Sequence, residues 1–95
     1  MRKESIMIRL FVRHPVSDFT AWRKAYDEFD EERKGMGVRA HGVFQTTDNP
    51  RDVTVWHDFE TLDAAKAFAE SSRLQEVMKQ AGVAGEPTVW FTKEA

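Results

Sequence analysis

The stretch "VTVWHDFETLDAAKAF", residues 53–68, changes its period half-way along. Val53, Val55 and Phe59 alternate as one buried face of a strand. From Thr61 onward the apolar residues Leu62, Ala65, Phe68 and Ala69 recur at helical spacing instead. A strand that passes directly into an amphipathic helix predicts a helix layer packed on a sheet. Trp56 breaks the simple version of that picture. It lies between Thr54 and Asp58 on the strand's second face. A sheet with helices on one side and water on the other has no use for a tryptophan there.

Working outward, "SIMIRLFVRH" (5–14) reads as the first strand, with Ile6, Ile8, Leu10 and Val12 on one face. Pro15 ends it, and Ser17 or Asp18 can cap the helix that follows. That helix is expected to run to about Lys34, its stripe of Phe19, Trp22, Tyr26 and Phe29 turned to the core. The acidic run from Asp27 to Glu32 reads as its solvated side, and "GMG" (35–37) stops it. "RAHGVFQTT" (39–47) is the second strand and "DNPRD" (48–52) is turn chemistry, so a hairpin with a loop of about five residues is expected. Thr61 caps the second helix, and Ser72 with Gln75 has capping-box spacing, so this helix should break and restart. "GVAGEP" (82–87) is a loop and "TVWFT" (88–92) the fourth strand. The order βαββαβ predicts one α+β domain over residues 1–95, a ferredoxin-like fold with a four-stranded antiparallel sheet.

Strand parity divides this sheet into two faces. Ile8, Leu10, Val12, Val53, Val55, Phe59, Val89 and Phe91 belong under the helices. Arg9, Phe11, Arg13, Thr54, Trp56, Asp58, Thr88 and Trp90 belong on the other face. The second strand is assigned with Ala40, Gly42 and Phe44 under the helices and Arg39, His41, Val43 and Gln45 opposite. Two tryptophans and a phenylalanine on an open sheet make an apolar patch that a monomer rarely exposes. The economical cover is the same face of a second copy, two sheets closing as a dimeric α/β barrel. Such a barrel can hold a pocket between the sheets.

The totals restrict the alternatives. A chain of 95 residues is one small domain, and association would help it bury apolar surface. A net charge of −2 with both signs interspersed lacks the basic stripe of a nucleic-acid binder. No apolar run approaches a membrane span. "MRKES" (1–5) leads into the strand pattern without a signal-peptide core, so a cytoplasmic location is expected. Cysteine is absent, which removes disulfides, a thiolate nucleophile and thiolate zinc sites.

Three segments, "VRHPVSDFTAW" (12–22), "GVFQTTDNPRDVTVWHDFETLDAAKAFAESSRLQEVMKQAG" (42–82) and "VAGEPTVWF" (83–91), carry a family likeness. The chain resembles the dimeric α/β-barrel superfamily, in particular the small proteins related to antibiotic-biosynthesis monooxygenases. The resemblance implies the ferredoxin-like fold, a homodimer and, in some branches, oxygenase chemistry without a cofactor. Haem-degrading branches place an iron-ligating histidine on the second helix. This sequence has none between Leu62 and Gln80, so no haem is expected, and no metal or flavin either.

Among the three histidines no pair has the helical spacing of a metal site. His14, before Pro15, reads as a turn residue bonded locally, and His57 as a partly buried histidine on the helix-facing side. His41, assigned to the open face, is the candidate base because imidazole exchanges protons near neutral pH. Arg9 and Asp58 should meet across adjacent strands, as a structural ion pair or as a substrate-orienting pair. Trp56, Trp90 and Phe11 would be walls for a flat aromatic substrate, or simply dimer core. One expectation is a cofactor-free monooxygenase-like enzyme acting on a small aromatic or polyketide-like compound. It would use His41, Asp58 and Arg9 as catalytic groups. The other is a non-catalytic dimeric module that binds a small molecule or serves only as a scaffold.

Overall fold

The computed structural model describes residues 7–95, so the expected place of Ile6 in the first strand lies outside the described residues. Along the chain come β1 (Ile8–Pro15), α1 (Phe19–Glu28), α2 (Asp30–Gly35), β2 (Ala40–Thr46) and β3 (Asn49–Phe59). Then follow α3 (Leu62–Ala69), α4 (Ser72–Gln80) and β4 (Thr88–Lys93). The strands pair in the order β2-β3-β1-β4, every neighbour antiparallel. This is the ferredoxin-like arrangement. Leu10, Val12, Val53, Val55 and Phe59 of the sheet form one core with Trp22, Tyr26, Phe29, Ala65, Phe68 and Leu74 of the helices. Burial of side chains of this size, about 1.5–3 kcal/mol each, is what holds the two layers together.

The first helix does not run straight to Lys34. It breaks at Phe29, where the backbone (φ −85°, ψ 0°) tightens the last turn of α1. The Tyr26 carbonyl there accepts the Phe29 N–H at 3.3 Å and the Arg33 guanidinium at 2.6 Å. Asp18 occupies the N-cap position, but its side chain makes no capping bond. The Ser17 hydroxyl donates instead to the Gly82 carbonyl. The second helix breaks as its sequence predicts. Thr61 accepts from the Ala64 N–H, and Ser71, not Ser72, accepts from the Leu74 N–H. The cap therefore lies one residue earlier than the capping-box spacing suggested.

The β2–β3 hairpin is tighter than expected, with only Thr47 and Asp48 between the strands. The extra residues lie in β3. Thr46 pairs with Asn49, and Gln45 with Val53, so Pro50, Arg51 and Asp52 bulge out of the ladder. Pro50, which has no N–H to give, sits where the ladder is interrupted. The Asn49 side chain accepts the Arg51 N–H in a local turn. Asp52 gathers the Arg13 guanidinium and the Thr46 hydroxyl.

Register also corrects the assignment of β2. His41 pairs with His57, Val43 with Val55 and Gln45 with Val53, which places all three on the helix side. Ala40, Gly42 and Phe44 are on the open face. The physical reason is the Trp56 indole, which lies across Gly42. A Cβ built on Gly42 would come within 2.4 Å of Trp56 Nε1. Only a residue without a side chain fits beneath that ring.

Candidate active site under the helices

Alternation along β3 sends Trp56 and Asp58 to the open face and His57 to the helix side. On the open face the expected groups come together. The Arg9 guanidinium donates from Nε and Nη2 to the two oxygens of Asp58, at 2.7 and 2.9 Å. Its Cζ lies 3.8 Å from the centre of the Trp56 ring. Phe11 and Trp90 stack at 5.2 Å. Trp90 and Phe44 remain 40% and 60% exposed. The Arg9–Asp58 pair is bidentate, and each partner occupies the other's hydrogen-bonding edge. His41 is not part of this group. It lies on the opposite face, separated from Arg9, Asp58, Trp56, Trp90 and Phe11 by the sheet.

Beneath the helices lies a chamber of about 50 Å³, lined by His14, Trp22, Tyr26, Arg33, His57 and Phe68 among others. That volume accommodates a few water molecules. Val12, Leu74 and Met78 line both it and a larger outer groove of about 420 Å³ that runs between α4 and the segment 83–87. The helix stripe builds one wall: Trp22 stacks on Tyr26 at 5.0 Å, and Arg33 Cζ lies 3.9 Å from the centre of the Tyr26 ring. The sheet builds the other, through His14 on β1 and His57 on β3.

Three of the polar residues that line this chamber carry buried nitrogens without partners. Among the described residues, neither ring nitrogen of His57 has a hydrogen bond, nor do His14 Nδ1 and Arg33 Nε. His57 is 4% exposed and Arg33 1%. Unpaired polar groups at that depth are costly and uncommon, and the three residues that carry them all line this one cavity. Burial pushes the His57 imidazole down to about 3, with the Arg33 charge and His41 acting in the same direction. Burial also lowers His14. Both rings are therefore neutral near pH 7, and His57 has one donor and one acceptor to offer while His14 has its Nδ1.

His41 stands behind Tyr26 rather than in the chamber. Its Nδ1 is 2.6 Å from the Tyr26 hydroxyl, and its Nε2 is 3.2 Å from Asp30 Oδ1. Burial and the Arg33 charge lower its pKa, against the pull of Asp30. His14 is likewise not a turn residue. It is the buried last inward position of β1. The chamber was missed in the sequence because the Phe19–Phe29 stripe reads as plain core. One signal was present: Arg33 is the next position of that stripe after Trp22, Tyr26 and Phe29.

Among the described residues no cluster of three or more His, Asp or Glu could hold a metal ion, and no helix is long and apolar enough to cross a membrane. No family model and no curated protein matches the sequence. Solved structures do match over nearly the whole chain. A candidate antibiotic biosynthesis monooxygenase of Bordetella bronchiseptica superposes with a TM-score of 0.82 at 19% identity, covering 95% of this chain and 98% of its own. A monooxygenase of Streptomyces coelicolor, solved with the ligand nanaomycin D, gives 0.70 at 18%, covering 96% and 89%. A protein of unknown function from Nitrosomonas europaea gives 0.76 at 14%, covering 97% and 92%. The chain has the ferredoxin-like fold of the antibiotic-biosynthesis-monooxygenase-like proteins.

Proposed function

We propose that the protein is a cofactor-independent, monooxygenase-like enzyme that binds a small hydroxylated aromatic compound under its helices. The observation that carries this reading is that His57, His14 and Arg33, each with a buried nitrogen that has no hydrogen-bond partner, all line one chamber with aromatic walls. A phenolic or enolic group offers both a donor and an acceptor, which is what two neutral imidazoles and a guanidinium can satisfy. The Arg33 charge would favour the ionised form of that group over the neutral one. A ring-stabilised carbanion can react with dioxygen directly, which is the chemistry that the resemblance implies. The ligand's apolar body would extend past Leu74 and Met78 into the outer groove.

The protein acts, in this reading, as a cytoplasmic homodimer of single-domain subunits. The open faces meet, covering Phe11, Phe44 and Trp90. Arg9, Asp58 and Trp56 then belong to the interface and to any space enclosed between the two sheets. The rival reading is a binding module without turnover. It is favoured by the chamber's small volume, which admits only one end of a multi-ring compound.

Calorimetric titration with a naphthol and with nanaomycin D, alongside oxygen-electrode measurements, separates these readings. Binding with dioxygen uptake, both weakened at least about tenfold in His57→Phe and Arg33→Met, is the expected result. Tenfold corresponds to about 1.4 kcal/mol, the scale of one buried hydrogen bond to a charged group. Binding without uptake makes the protein a module. Absence of binding to wild type removes the site.

A further inference from the structure

The side chains of Tyr26, His41 and Asp30 form a line that begins in the chamber and ends at the surface. Tyr26 lines the chamber. Its hydroxyl reaches His41 Nδ1 at 2.6 Å, and His41 Nε2 reaches Asp30 Oδ1 at 3.2 Å. The His41 and Asp30 side chains are 30% and 35% exposed. We infer that these three residues are a proton path: Tyr26 takes the proton of a hydroxyl-bearing ligand, His41 is the base behind it, and Asp30 positions the imidazole. The inference rests on the reading that the chamber receives a phenol or enol.

The direction of the path follows from hydrogen-bond chemistry. A carboxylate only accepts, so the proton of neutral His41 belongs on Nε2, facing Asp30. Nδ1 then carries the lone pair, and the Tyr26 hydroxyl must be the donor at 2.6 Å. The tyrosine oxygen, its proton committed to His41, still has lone pairs with which to accept from a ligand hydroxyl. In the transfer, the ligand O–H bond breaks and its proton goes to Tyr26 Oη. The former Tyr26 proton goes to His41 Nδ1. The ligand is left as an anion and His41 as imidazolium beside Asp30, with no change in oxidation state. The Nε2 proton can then leave through the exposed end of the path.

Charges around the path come from every packed element. Arg33 lies over the Tyr26 ring at 3.9 Å and donates to Asp30 at 3.0 Å. Arg23 stands 5.5 Å from the same ring and pairs with Asp27. Lys34 holds the second oxygen of Asp30 at 3.2 Å. From the sheet, the neutral His57 ring stacks on His41 at 5.9 Å. Burial raises the Tyr26 hydroxyl and lowers His41, so both begin neutral, the state in which transfer can start. Arg33 and Arg23 oppose the rise at Tyr26 and so favour negative charge in the chamber.

The test uses the intact protein and a naphthol whose anion absorbs apart from the neutral form. Wild type should bind it with its ionisation lowered by at least about one pH unit, a tenfold change. Tyr26→Phe and His41→Leu should each lose most of that shift, only the part due to the Arg33 charge remaining. In His41→Leu, whose side chain stands behind Tyr26 and outside the chamber, calorimetric affinity should stay within about threefold. Nitrogen-15 spectra of the unliganded protein should show His41 as the Nε2–H tautomer, with Nδ1 accepting and that hydrogen bond lost in Tyr26→Phe. Binding with an unshifted ionisation, a shift undiminished in Tyr26→Phe, or an Nδ1–H tautomer each overturns the proton path and leaves the chamber reading standing. Failure of wild type to bind the naphthol overturns both.

Discussion

Replacing His57 by phenylalanine should make the protein markedly less sensitive to acid. The argument starts from the unfolded chain, where His57 takes up a proton near pH 6.5. In the folded protein burial holds the same ring neutral down to about 3. Between those limits the unfolded state binds more protons, so stability falls as pH falls. The contribution is fully present above pH 6.5 and lost by about pH 3. At about 1.36 kcal/mol per pH unit, the loss between pH 7 and pH 5 is about 2 kcal/mol. His57 is 4% exposed, so solvent screening reduces this little. Phenylalanine preserves a ring against Phe68, 5.0 Å away, and the adjoining chamber leaves room for the extra atom. Urea unfolding of both proteins at pH 7 and pH 5 measures the difference. Wild type should lose about 2 kcal/mol more than the variant across that interval. Equal losses would mean that His57 titrates normally when folded, and the picture of an unpaired neutral imidazole would be refuted.

Two further changes probe other parts of the fold. Trp90→Glu, which sets a carboxylate against Phe11 on the open face, should weaken dimerisation by about 1–3 kcal/mol. Analytical ultracentrifugation measures this, and a monomeric wild type at micromolar concentration would remove the dimer altogether. Ser71→Ala should lower stability by about 1 kcal/mol through loss of the α4 cap, whereas Ser72→Ala should stay within about 0.5 kcal/mol. Thermal melts showing the reverse order would return the cap to the capping-box position.

The faces of β1 and β3 were legible because runs such as Val53, Val55 and Phe59 tie parity to burial. In β4 the residues expected under the helices, Val89 and Phe91, stay 41% and 37% exposed, because the helices do not cover that edge strand. The Arg9–Asp58 pair followed from that parity and the antiparallel order. The phase of β2 was not legible. "AHGVFQT" alternates without a clear apolar face, since Phe44 argues for one phase and Val43 for the other. What decides it is remote in sequence: the Trp56 ring over Gly42, and the Tyr26 hydroxyl at His41. The bulge at Pro50–Asp52 depends equally on partners in β1 and β2. The inward positions of His14 and His57 could be counted from the strands. The chamber between them and Arg33 comes from how the helices pack, which no local pattern encodes.

Gly42 and Trp56 bind two sites in the gene into one unit of inheritance. A copy that acquires any side chain at position 42 displaces the indole at once, because a Cβ there comes within 2.4 Å of the ring. Descendants should therefore keep glycine with tryptophan, or abandon both together. Arg9 lies against the same ring and Asp58 against Arg9, so losing the pair also relaxes selection on positions 9 and 58. Among diverged copies these four positions should be exchanged as a set, while the valines beside them drift one at a time.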